Sequence, residues 1–168
     1  MQFKSTILAA LSACIAMSAC QSTSDSSNDP KKRLNEYVSQ SFAVKTPQDR
    51  KELLPYLTGE ARSRLESWSD DQFRQAFIDT KRQFLKLAFK EFKSAGADEA
   101  NLTYEITFQS SYQESGAPQG SPAQDAKVTS RKLAHMVRKD GNWLIDEVRN
   151  VRELVEYKHE LSLTPSGG

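Results

Sequence analysis

Between Lys31 and Val44, the apolar residues Leu34, Tyr37, Val38 and Phe42 fall on one side of a 3.6-residue repeat, which predicts an amphipathic helix. Thr46 followed by Pro47 reads as a second helix start, a capping hydroxyl and then a proline at the first helical position. That helix turns Leu53 and Leu54 inward and stops at Pro55, whose ring cannot continue it. Thr58 heads a third segment to Trp68, with Ala61, Leu65 and Trp68 on one face. Ser69-Asp70-Asp71-Gln72 has the form of a capping box, with two acids in the first turn where the helix dipole favours them. Phe73, Ala76, Phe77 and Thr80 then form the buried stripe of a fourth helix.

The pattern changes after Phe84. Leu85, Leu87 and Phe89 alternate with Lys86, Ala88 and Lys90, as in a strand, although Phe73, Phe77, Lys81, Leu85, Ala88 and Phe92 would also suit one long helix. The alternation favours the strand, with "SAGADEA" as the turn that follows it. "LTYEITF" is a half-buried strand: Leu102, Tyr104, Ile106 and Phe108 face one way, and Thr103, Glu105 and Thr107 the other. Gln113–Asp125 is a long Gly/Pro/Ser loop, followed by a strand from Lys127 to Arg138. At "KDGNW" two hairpin registers compete. A two-residue turn sets Arg138 opposite Trp143, whereas a three-residue loop with Gly141 in a bulge pairs Val137 with Trp143 and His135 with Ile145. The second register gathers Leu133, Val137, Trp143 and Ile145 on one face, so burial favours it. The last strand continues through Val148 and Val151 towards Val155, and "SLTPSGG" reads as a frayed tail. Helices first and an antiparallel meander second imply an α+β fold, with N-terminal helices packed on one face of a curved antiparallel sheet.

Composition adds an address. The 168 residues are 38% hydrophobic and 27% charged, enough for one domain with appendages. Met1–Lys4 is a short basic head, and the run to Ala19 is apolar with a small-residue exit, the pattern of a secretory signal. "QSTSDSSNDP" after Cys20 is a polar tether. Both cysteines lie in this region, in "LSAC" (Leu11–Cys14) and "MSAC" (Met17–Cys20). These boxes resemble those of bacterial lipoproteins, whose signal ends before an acylated cysteine. Cys20 is favoured over Cys14, because cleavage there leaves a normal apolar run and the tether follows directly. The resemblance implies attachment to the cell envelope through acylated Cys20, and Gln21 suggests the outer membrane, facing the periplasm. The expected layout is a signal at 1–19, a tether at 20–29, a domain at 30–160 and a tail at 161–168. Lys4 is the only charge before Cys20, so Lys plus Arg and Asp plus Glu balance at 22 each in the rest. Nothing in that balance draws the domain to nucleic acid.

"VRKDGNWLI" (Val137–Ile145), after a helical half containing "YLTGEARSRLESWSDDQFRQAF" (Tyr56–Phe77), resembles the NTF2-like, cystatin-like superfamily over about Lys31 to Tyr157. The resemblance implies a curved sheet wrapping a helical layer, often around a conical pocket. It implies no particular activity, since such folds host isomerases, dehydratases and inert binding modules.

The candidate chemistry is sparse. His159 lies past the last apolar strand positions. In the favoured register His135 shares a face with Trp143 and Ile145, Glu147 is its only same-face acid, and Glu105 and Asp146 point away. The possible pocket therefore comprises His135, Trp143, Tyr104, Phe108 and Glu147. Neither cysteine nor histidine spacing suits zinc, no glycine-rich loop joins a strand to a helix, and no cofactor is expected. The leading expectation is a non-enzymatic envelope lipoprotein whose domain binds a partner protein or a small apolar ligand, as a monomer or weak homodimer. The alternative is a proton-transfer enzyme of the isomerase or dehydratase kind, using His135 with Glu147.

Overall fold

The computed structural model describes residues 28–112 and 124–157. The signal, Cys14, Cys20, the tether up to residue 27, loop residues 113–123, His159 and the tail at 161–168 lie outside the described residues.

Helix α1 (Pro30–Ala43) starts where Asp29 accepts hydrogen bonds from the Lys31 and Lys32 amides, at 2.8 and 3.4 Å, and Pro30 takes the first turn. It buries Leu34 and Val38. The Thr46-Pro47 start holds: Asp49 accepts from the amides of Lys45 and Thr46, both at 2.9 Å. The helix beyond it is short. α2 (Arg50–Leu53) is flanked by 3-10 turns at Pro47–Asp49 and Leu54–Tyr56, the second of which absorbs Pro55. α3 (Gly59–Ser67) and α4 (Asp70–Phe77) follow, the latter opened by the expected box. The Gln72 amide donates to Ser69 Oγ at 3.2 Å, and the Ser69 amide to Gln72 Oε1 at 2.9 Å. Phe73 of α4 is fully buried, stacked on Phe77 at 4.8 Å, with the Arg50 guanidinium 5.0 Å from its ring.

Four antiparallel strands then form an open sheet in the order β1 (Lys81–Ser94), β2 (Glu99–Tyr112), β3 (Gln124–Lys139), β4 (Asn142–Tyr157). The fold is thus α+β, helices followed by a four-stranded meander that does not close. β2 and β3 pair without interruption from Glu99↔Val137 to Tyr112↔Gln124. Each edge strand carries two extra residues, Leu85 and Lys90 in β1 and Asp146 and Val151 in β4. Such bulges bend a strand and break its ladder.

Leu102, Tyr104, Ile106 and Phe108 all face the helices, as the alternation predicts. The opposite face of β2 is polar. Glu105 pairs with Lys90 at 2.8 Å and Arg131 at 2.7 Å, and the Thr107 and Thr129 hydroxyls meet at 3.3 Å.

The hairpin differs from the expected register. Lys139 pairs with Asn142 and Arg138 with Trp143, around a two-residue turn in which Asp140 (φ 51°) and Gly141 (φ 80°) are both left-handed. This is the type I′ geometry, whose twist matches that of the strands it joins. The charge beside the indole is accommodated because Arg138 is long enough to leave it: the guanidinium donates to Asn28 Oδ1 at 3.2 Å and Gly141 O at 3.3 Å. Ala134, Met136, Trp143 and Ile145 therefore share the core face, while Leu133, His135 and Val137 lie on the other.

A strap joins the two layers. Leu57 bridges in parallel to Ile145, the Thr58 amide donates to Ile145 O at 2.9 Å, and Lys139 Nζ reaches Thr58 Oγ1 at 2.8 Å. Gly59, next in the chain, sits at φ 49°, and a Cβ there would fall on the Asp146 carboxylate.

Two stability predictions follow from this packing. Gly59→Ala should cost at least ~1–2 kcal/mol in urea unfolding, from the left-handed backbone alone. Adding Asp146→Ala should relieve the contact but not the backbone term, so the pair should stay below the parent. Phe73→Ala should cost ~3–5 kcal/mol by the same measurement, the loss typical of a buried aromatic.

Candidate functional site

Between the helices and the inner face of the sheet lies a cavity of about 410 Å³. Helix α1 contributes Tyr37 and Phe42, the α4 region Trp68 and Phe77, and the sheet Ile106 and Phe108. Phe42 fixes one wall by an edge-on contact with Phe84 at 5.4 Å and a tilted one with Phe108 at 5.8 Å. A second lobe of about 530 Å³ extends towards α3 and shares Tyr37, Trp68, Phe77, Lys132 and Val148 with the first.

Polar groups enter this aromatic enclosure from the strands. Arg82 of β1 donates to Phe77 O at 3.3 Å, and its guanidinium carbon lies 5.2 Å from the Phe42 ring and 5.7 Å from that of Phe77. Its Nε is buried without a hydrogen-bond partner. Lys132 of β3 donates to Asn150 Oδ1 at 2.6 Å. Ser130, two residues before it on the same face, is 1% exposed, and its hydroxyl also has no partner. Glu153 stands at the rim on β4, exposed to solvent.

Burial governs the titration of these groups. It pushes the Tyr37 phenol up to about 12, against a smaller downward pull from Arg82. It also raises Tyr104, with Tyr37 adding to the effect. The Arg82 guanidinium is drawn down by desolvation and partly restored by Tyr37. Lys132 is drawn down by desolvation, raised by Glu153 and lowered again by Arg82.

Of the five residues expected to form a pocket, Tyr104 and Phe108 line this cavity. Trp143 is buried in the core and does not line it. His135 lies across the sheet from it, a consequence of the two-residue turn, in a shallow cleft of about 250 Å³ with Asn101, Leu133, Glu147 and Arg149. His135 and Glu147 are cross-strand partners, as expected of same-face residues. The carboxylate in contact with the imidazole is nevertheless that of Asp146, 3.4 Å from Nδ1, which the bulge turns towards it. Glu147 reaches the rim of the larger lobe, but it accepts from Arg149 Nε at 2.6 Å, and that bond holds its pKa below the usual carboxylate range.

The sequence reading missed Arg82, Ser130 and Lys132. The three-residue loop inverted the phase of β3, which turned Ser130 and Lys132 to the wrong face. Arg82 precedes the expected start of the first strand at Phe84, although it stands in phase with that residue on the inner face.

No family model matches the chain, and no curated protein matches it. Among solved structures, the intermembrane space region of the chloroplast protein ARC6 is similar, with a TM-score of 0.51 and 16% identity. The match covers 73% of this chain and 95% of that one. At that identity the likeness shows the fold alone.

Tyr37 yields a pH prediction. Because its folded pKa is raised, its contribution to stability is complete below the unfolded value near 10 and is lost as pH climbs through about 12. Between those values Tyr37→Phe should lose stability less steeply than the parent in urea midpoints. Equal slopes would show that the phenol is not buried as described.

Proposed function

We propose that this chain is a non-enzymatic envelope lipoprotein, tethered through acylated Cys20, whose NTF2-like domain binds a small, largely apolar molecule between its helices and its sheet. The observation that carries this reading is the aromatic-walled cavity of about 410 Å³, a volume in the range of ~300–1,000 Å³ usual for small-molecule sites. Helices followed by an open antiparallel meander support the NTF2-like assignment. No helix among the described residues is long and apolar enough to cross a membrane, so in this reading attachment rests on the lipid. The polar outer face, with Glu105 between Lys90 and Arg131, favours a monomer or weak dimer over a large obligate interface through the sheet. His135 and Glu147, the pair of the proton-transfer alternative, share a shallow cleft on the other face of the sheet, so that reading would place its chemistry there and not among the aromatic walls.

Trp68 in the cavity wall supplies the assay. Titration of the full-length protein with an environment-sensitive naphthalene dye should show saturable quenching of tryptophan emission, and Phe77→Arg should abolish it. Linear, non-saturating quenching in the parent would refute a ligand cavity. The anchor is tested separately by growth on labelled palmitate. Cys20→Ala should lose the label and leave the membrane fraction, whereas Cys14→Ala should keep both.

A further inference from the structure

We propose that the molecule bound in this cavity is an amphipathic monocarboxylate, its head held by Arg82, Lys132 and the Ser130 hydroxyl and its apolar body lying against Phe42, Trp68 and Phe77. The inference rests on the ligand-binding reading above and specifies its chemistry.

Arg82 and Lys132 are half-buried cations on one cavity wall, and among the described residues neither has a carboxylate within ion-pair distance. What they have instead is neutral: a backbone carbonyl, an amide oxygen and two ring faces. Half-buried charges without a counterion are costly. The two also oppose one another, since Arg82 disfavours the charged form of Lys132. An anion between them would reverse both penalties.

The hydrogen-bond inventory points the same way. Ser130 Oγ and Arg82 Nε are buried donors without acceptors. A buried donor left unmade is the expensive case, and a carboxylate brings two oxygens able to accept several such bonds. The charge balance selects a single negative charge. Glu153 at the rim partly compensates Lys132, leaving the two cations one positive charge in excess. A dianionic phosphate would overshoot that excess beside an existing carboxylate. Most of the remaining wall is aromatic or aliphatic, with Ser41 and Asn150 as polar exceptions, which suits an apolar body.

Isothermal titration of the full-length protein in neutral phospholipid nanodiscs, with empty discs subtracted, tests this with octanoate, 1-octanol and inorganic phosphate. Octanoate should bind at least about tenfold more tightly than octanol, the margin of one charge-assisted contact. Phosphate alone should bind more weakly than octanoate, for want of a body. Arg82→Met and Lys132→Met should each bring octanoate to within about threefold of octanol, both measured on the same variant. If octanol matches octanoate in the parent protein, the cavity reading survives and the anionic head is refuted. If neither saturates, the cavity reading itself falls. Phosphate binding as tightly as octanoate would overturn the amphiphile in favour of a simple anion site. The acid-to-alcohol ratio of the parent decides the matter even if a methionine variant fails to fold.

Discussion

The strap at Leu57 and Thr58 is the contact on which the rest of the architecture depends. One backbone hydrogen bond to Ile145 and one parallel bridge pin the helical layer to the outer edge of β4, at one end of the sheet only. The helices therefore close tightly over Trp143, Ile145 and Met136, which are buried. Further along the inner face, large aromatic rings of α1 and α4 stand between the helices and the sheet, and that is where the cavity lies. Asp146, the extra residue of the neighbouring bulge, is part of the same joint, fitted against a glycine that has no Cβ to obstruct it.

The cavity puts cationic heads among aromatic walls. Such an environment discriminates chiefly by charge. An apolar molecule gains from Trp68 and Phe77 whatever its head, whereas the unpaired donors of Arg82 and Ser130 penalise any occupant that brings no acceptor. On the opposite face Lys90 and Arg131 each have a carboxylate in contact, since Glu105 pairs with both and is held ionised by their hydrogen bonds. The contrast between outer cations in contact with a carboxylate and inner ones without such a contact separates the structural charges from the candidate functional ones.

How much of this was legible depended on how regular each strand is. β2 has no bulge, and its alternation assigned Leu102, Tyr104, Ile106 and Phe108 correctly, although Ala100, read as part of the turn, is a buried residue of the strand. β1 was ambiguous for a physical reason. Its inner residues Phe84, Leu87, Phe89 and Phe92 are spaced by three, two and three, because Leu85 and Lys90 are inserted in the ladder. The helical set Leu85, Ala88 and Phe92 shares only Phe92 with these inner residues, and Leu85, expected to face inward with Leu87 and Phe89, is an inserted, exposed residue. The helix starts at Thr46 and Ser69 were legible because capping is local chemistry. The site was not, because its face depended on a single hairpin. Weighing burial alone excluded an arginine opposite Trp143, although a long side chain can lead its charge away. That one residue of register exchanged Ser130 and Lys132 for Leu133 and His135.

All four inserted residues lie on the two outermost strands, and the central pair has none. An open sheet exposes its rims to other copies of itself. Interrupted rims offer a neighbour only short runs of matched donors and acceptors, too few to template a continuous ribbon. The same irregularity that obscured the strands from their sequence thus works against edge-to-edge joining of neighbouring copies.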